Sequence, residues 1–199
     1  PDVDAYRDRE IPFKPTDVAL VGENLFVADG YGSNYILSAD LITHKWMASF
    51  GGVTKDRHVN GKFGTAHGIN LEPFANQLAI ADRWNGRIQL HNLQGSFISS
   101  YMLPLDTWPC GVHYLQYKGC WLAIVGCLYD DVSDTSRPGP IYILDAQNYE
   151  ILSKIKPKEE LGIEKAQRIH NVLGHIYEDQ IYLVCQSWNP GNYFILQKL

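Results

Sequence analysis

His67 and His170 are the side chains with the clearest capacity for chemistry, because both stand at one place in a pattern that recurs along the chain. Ala66-His67-Gly68-Ile69 is matched by Pro15-Thr16-Asp17-Val18 and by Ile169-His170-Asn171-Val172, and more weakly by Pro109-Cys110-Gly111-Val112. Equivalent positions of a repeat occupy equivalent positions in a fold, so two imidazoles far apart in sequence become candidates for one metal centre. Three imidazoles with one open position make a catalytic zinc site. A histidine in a strand is more commonly a hydrogen-bonded structural residue; the shared repeat position is what favours the metal. Cys110 offers a soft donor at the same position, although a buried structural thiol is the ordinary reading of such a cysteine. His44, His58, His91, His113 and His175 lack this support and read as surface or structural residues. The four cysteines, Cys110, Cys120, Cys127 and Cys185, have no CxxC spacing, which removes zinc-finger and thioredoxin readings.

The elements that must position these residues are strands. The 199 residues are 45% hydrophobic, with 12 Tyr, 5 Trp, 17 Gly and 10 Pro, a composition of pleated strands and tight turns. Short β-branched or aromatic runs bounded by Gly, Asn, Asp or Pro predict strands at 17–21, 25–28, 35–38, 46–50, 78–81, 88–90, 121–125, 141–144 and 181–185. The best helix candidate, 156–166, is short and holds Gly162. Four similar segments, about 12–52, 63–104, 106–156 and 166–199, each carry strands at a spacing of roughly 40 to 60 residues, which is the signature of propeller blades. The expected fold is an all-β propeller forming a single domain over 1–199, with the first strand of each blade lining a central channel.

The formal charge of −5 gives no footprint for nucleic acid. No apolar run is long enough to span a bilayer, and no signal peptide is visible. Residues 54–65 and 127–140 read as long loops, and the latter carries Asp130 and Asp131, which as paired loop acids are ordinarily solvated. The mixed charges of 154–165 read as a solvated face.

Ile80-Ala81-Asp82-Arg83-Trp84-Asn85-Gly86-Arg87-Ile88-Gln89 resembles the NHL repeat of six-bladed β-propellers. Together with Pro15-Thr16-Asp17-Val18-Ala19 and Val27-Ala28-Asp29-Gly30-Tyr31, it is similar to the lyase domain of peptidylglycine alpha-amidating enzymes. The resemblance is strong over residues 12–91, moderate over 167–185 and weak over 92–166. It implies a metal-dependent lyase that cleaves the C–N bond of a peptidyl-alpha-hydroxyglycine to an amide and glyoxylate, with a peptide or small-molecule substrate. It also implies an extracellular or periplasmic setting.

By that resemblance His67 and His170 are two ligands of a zinc held by three histidines, and Tyr31 is the base that takes the hydroxyl proton. The third histidine, a catalytic arginine and two further blades are expected N-terminal to Pro1. Cys110 falls where the family has an apolar residue that is not a ligand. Several positions depart from the family. Arg168 replaces a methionine two residues before the last zinc histidine, and its planar fork suits a carboxylate. Asn171 replaces an aspartate that binds a structural calcium, keeping an oxygen donor without the charge. Phe13, Gly32, Ala79 and Leu90 stand at the family's disulfide positions. Two rival functions remain at this point: a non-catalytic NHL propeller that binds a peptide or protein partner, and a calcium-dependent lactonase or esterase propeller. The second would need acidic ring positions, where this chain has Thr, His and Cys.

Overall fold

The computed structural model describes residues 1–7, 10–130, 134, 136–188 and 191–198. The chain divides into two compact units, Pro1–Leu103 and Pro104–Leu199, and each is built from antiparallel meanders in which consecutive strands pair. No helix is long and apolar enough to cross a membrane among the described residues.

In the first unit, β1 (Asp17–Val21), β2 (Asn24–Ala28), β3 (Tyr35–Asp40) and β4 (Lys45–Gly51) form one sheet in chain order. A second sheet follows with β5 (Ala66–Glu72), β6 (Gln77–Asp82), β7 (Arg87–His91) and β8 (Phe97–Met102). Phe26, Ile36, Phe63, Ile69, Leu78 and Ile80 are buried in its core, each side chain contributing about 1.5–3 kcal/mol by leaving water.

The polar segment 54–65 is tied down by the Asp-Arg-Gln motif that follows it. Arg87 is fully buried and donates to Asp82 Oδ2 (2.8 Å) and to the carbonyls of Arg57 (2.6 Å), Val59 (2.7 Å) and Lys62 (2.9 Å). Gln89 adds a bond to the Lys62 carbonyl (2.8 Å) and accepts from the Gly61 amide (2.9 Å). A buried guanidinium is tolerated only when its donors are satisfied in this way.

His91 closes the core of the second sheet, packed among Phe50, Phe63 and Phe97 at ring-centroid distances of 5.0, 5.6 and 5.8 Å. Its Nδ1 meets the Gly95 carbonyl at 3.0 Å, while Nε2 is buried without a hydrogen-bond partner among the described residues. Burial pushes this imidazole below its ordinary value of 6.5, and the charge of Arg87 acts the same way against the bond from Gly95. The unfolded chain therefore binds the proton first, so the His91 contribution is intact above about pH 6.5 and is lost as the pH falls below it. Thermal melts between pH 8 and pH 5 should show a larger acid loss in the native protein than in His91→Gln, whose side chain does not titrate. Parallel pH curves for the two would contradict this.

The second unit holds β9 (Thr107–Tyr117), β10 (Cys120–Tyr129), β11 (Ile141–Asp145) and β12 (Ile151–Ile155) in one sheet. Its other sheet is β13 (Ile169–Tyr177), β14 (Gln180–Ser187) and β15 (Asn192–Gln197), three-stranded among the described residues. Leu115, Ile124, Ile141, Ile169, Val172 and Leu183 form the core between them. The expected helix over 156–166 is shorter: α1 runs Pro157–Leu161 and stops because Gly162 takes the left-handed conformation (φ 66°) that ends a helix.

Candidate functional site

Three strand pairs carry the same irregularity at the repeated position. Between β5 and β6, Ala66 pairs with Asp82 and Gly68 with Ala81, leaving His67 as an extra residue. Between β9 and β10, Pro109 pairs with Cys127 and Gly111 with Gly126, leaving Cys110. Between β13 and β14, Ile169 pairs with Ser187 and Asn171 with Gln186, leaving His170. A β-bulge takes its residue out of the regular alternation of faces and re-aims the side chain. His67, Cys110 and His170 are thus set by one backbone device. Thr16, their counterpart in the first sheet, spends its hydroxyl on the carbonyls of Ala28 (3.1 Å) and Ala66 (2.9 Å).

In the first unit the bulge residue meets Tyr31. The tyrosine sits in a turn organised by buried Asp29, whose carboxylate accepts from the amides of Lys14 (2.5 Å) and Ser33 (2.7 Å), the Ser33 hydroxyl (2.7 Å) and the Tyr6 hydroxyl. Gly32 is required here, since a Cβ would fall 2.2 Å from the Pro12 carbonyl oxygen. The turn holds Tyr31 half-exposed, with its hydroxyl 3.2 Å from His67 Nε2 and the two rings edge to face.

Arg83 completes the group. Its Nη1 donates to the Tyr31 oxygen at 2.8 Å, and its guanidinium carbon lies 5.1 Å from the tyrosine ring centroid. The Arg83 amide donates to the Thr65 carbonyl at 2.9 Å, and the residue before it is Asp82, the repeat equivalent of Asp29. Asp82 accepts from the amides of Gly64 (2.7 Å) and Thr65 (3.3 Å) and from Asn85 (2.8 Å) and Arg87 (2.8 Å). Burial pushes the Asp82 carboxyl up, while the bonds from Asn85 and Arg87 and the Arg87 charge pull it down. Sequence reasoning passed over Arg83. The signal available was a cation directly after the repeated Asp, where the first sheet has Gly30.

In the second unit, the donor atoms of Cys110 and His170 lie within 4.8 Å of one another. Cys110 is buried and its Sγ lies 3.7 Å from the Trp108 carbonyl oxygen; His170 is partly buried. Asn171 is exposed, and its Oδ1 stands where a Cβ on Gly111 would fall, at 2.8 Å. Arg168 is partly buried, its guanidinium 5.9 Å from the Trp188 ring centroid. Asp130 stands 3.6 Å from Arg137, and Asp131 lies outside the described residues. Imidazole and thiolate donors fit a soft or borderline cation.

No protein-family profile matches the chain. Among curated proteins it is 36% identical over 94 residues to peptidyl-alpha-hydroxyglycine alpha-amidating lyase 1 of Drosophila melanogaster, covering 44% of this chain and 17% of that protein. It is 40% identical over 82 residues to the peptidyl-glycine alpha-amidating monooxygenase of Mus musculus, covering 38% of this chain and 8% of that protein. The sequence is similar to the amidating lyases. The chain spans 17% or less of the length of these two relatives. Among solved structures, the Dos1 propeller aligns over 92% of this chain and 44% of its own, with a TM-score of 0.60 at 14% identity. BBS1N, solved in complex with ARL6DN, aligns over 95% of this chain and 55% of its own, with a TM-score of 0.57 at 12% identity. The fold is all-β and of the propeller class.

Proposed function

We propose that this chain carries the site of a zinc-dependent carbon–nitrogen lyase of NHL-propeller type that converts a peptidyl-alpha-hydroxyglycine to a peptide amide and glyoxylate. The observation that carries the reading is the Tyr31 oxygen, held between Arg83 Nη1 and His67 Nε2 in a segment of the chain whose sequence resembles the amidating lyases. In this reading, His67 and His170 bind one metal ion because they occupy equivalent bulge positions of the repeat. Six blades in the complete ring belong to the same reading.

The chemistry moves one proton and breaks one bond. Tyr31, as general base, takes the proton of the alpha-hydroxyl; the C–O bond becomes a carbonyl as the C–N bond breaks; and the proton passes from Tyr31 to the departing amide nitrogen. No water is consumed. When bound, zinc supplies Lewis acidity toward the substrate's oxygen atoms. Arg83 is a donor only, so it fixes the Tyr31 oxygen as an acceptor and sets its direction. Arg168 carries a second positive group that suits the substrate carboxylate, and Asn171 offers one oxygen for a calcium ion. The test is direct: the zinc-loaded chain incubated with a peptidyl-alpha-hydroxyglycine releases glyoxylate and amide in equal amounts.

A further inference from the structure

In the second unit, a cysteine and a histidine are brought together by the same backbone device. Cys110 and His170 are both the extra residues of bulges, in two sheets of one unit. Gly111 and Gly126 pair across β9 and β10 next to the first bulge. A Cβ on Gly126 would lie 3.0 Å from the His170 carbonyl oxygen, and one on Gly111 would lie 2.8 Å from Asn171 Oδ1. Two glycines thus clear the space that lets the His170 segment come down onto Cys110, to within 4.8 Å between donor atoms. An ion with bonds of about 2.3 Å to sulfur and about 2.0–2.1 Å to nitrogen closes that gap with a small side-chain adjustment.

We propose that Cys110 is a thiolate ligand to the same metal ion that His170 binds, making the centre selective for zinc-class cations over calcium. The inference deepens the metal site proposed above and rests on that reading only for the further donor, His67; Cys110 then stands in place of a third histidine, and three donors leave one position open for substrate. Sulfur is the deciding atom. Thiolate binds zinc, cobalt and copper(I), whereas calcium requires six to eight oxygen donors. Binding forms the sulfur–metal bond and releases the Cys110 thiol proton to solvent, so affinity rises with pH. The other buried thiols, Cys127 and Cys185, lie outside this group of donors among the described residues.

Cobalt(II) titrated into the full chain tests this without any assay of catalysis. One equivalent should produce an intense sulfur-to-cobalt charge-transfer band in the near ultraviolet, unchanged by millimolar calcium. Cys110→Ser should lose the band and weaken cobalt binding at least about tenfold, whereas Cys120→Ser, which removes the exposed thiol, should keep it. Because Cys120→Ser leaves Cys110 intact, it remains informative even if Cys110→Ser fails to fold. Absence of the band at saturating cobalt, its persistence in Cys110→Ser, its loss in Cys120→Ser, or displacement of cobalt by calcium would each overturn the proposal. Glyoxylate formation without the band would overturn the thiolate alone and leave the lyase reading standing; the band without glyoxylate would do the reverse.

Discussion

Tyr31→Phe should lower the release of glyoxylate from a peptidyl-alpha-hydroxyglycine by about 10²–10⁴-fold, the range typical of losing a general acid–base group, while bound zinc stays at the native level. Phenylalanine keeps the ring that lies edge-on to His67 and under Arg83, so the loss isolates the oxygen. That oxygen accepts from Arg83 Nη1 at 2.8 Å and lies 3.2 Å from His67 Nε2. Fold and metal content should be insensitive to its removal, because the turn around it is held by the Asp29 carboxylate rather than by the phenol. Turnover in Tyr31→Phe within a few-fold of native would remove Tyr31 from the proton path.

The His67→Ala, His170→Ala double variant should lose zinc altogether, with metal measured after dialysis, and should lose activity with it. Alanine at a bulge position removes the donor without demanding a new backbone, so the strand pairing of β5 with β6 and of β13 with β14 is expected to survive. Each single variant should weaken zinc binding by at least about tenfold. The two effects should not add as independent losses, because both residues are proposed to hold one ion. Independent, fully additive losses would mean two separate sites.

The fold was legible where its information is local. Runs such as Asp17–Val21 and Leu78–Ala81 carry their own β-branched pattern and turn residues, and they are strands. The equivalence of His67, Cys110 and His170 was legible for the same reason. The bulges were not, because a bulge is a relation between two strands: which residue is left over depends on the register of β6, β10 and β14, and no single strand states it. Arg83 was missed on similar grounds. Its role appears only when the Asp29 turn puts the Tyr31 oxygen within reach, across a separation that no local pattern encodes. The segment 54–65 read as a polar loop, yet the Arg87 and Gln89 of the repeat motif hold its carbonyls; the motif was visible and its partners were not.

The central claim is a metal-dependent cleavage of a carbon–nitrogen bond, and one measurement meets it directly. Zinc-loaded and chelator-treated protein are incubated with a peptidyl-alpha-hydroxyglycine, and glyoxylate and amide are quantified together. The account predicts equimolar products from the zinc-loaded protein and none above background from the stripped one, with activity restored by adding zinc. Stoichiometrically loaded protein that releases neither product, or product formation unaffected by chelation, would contradict it.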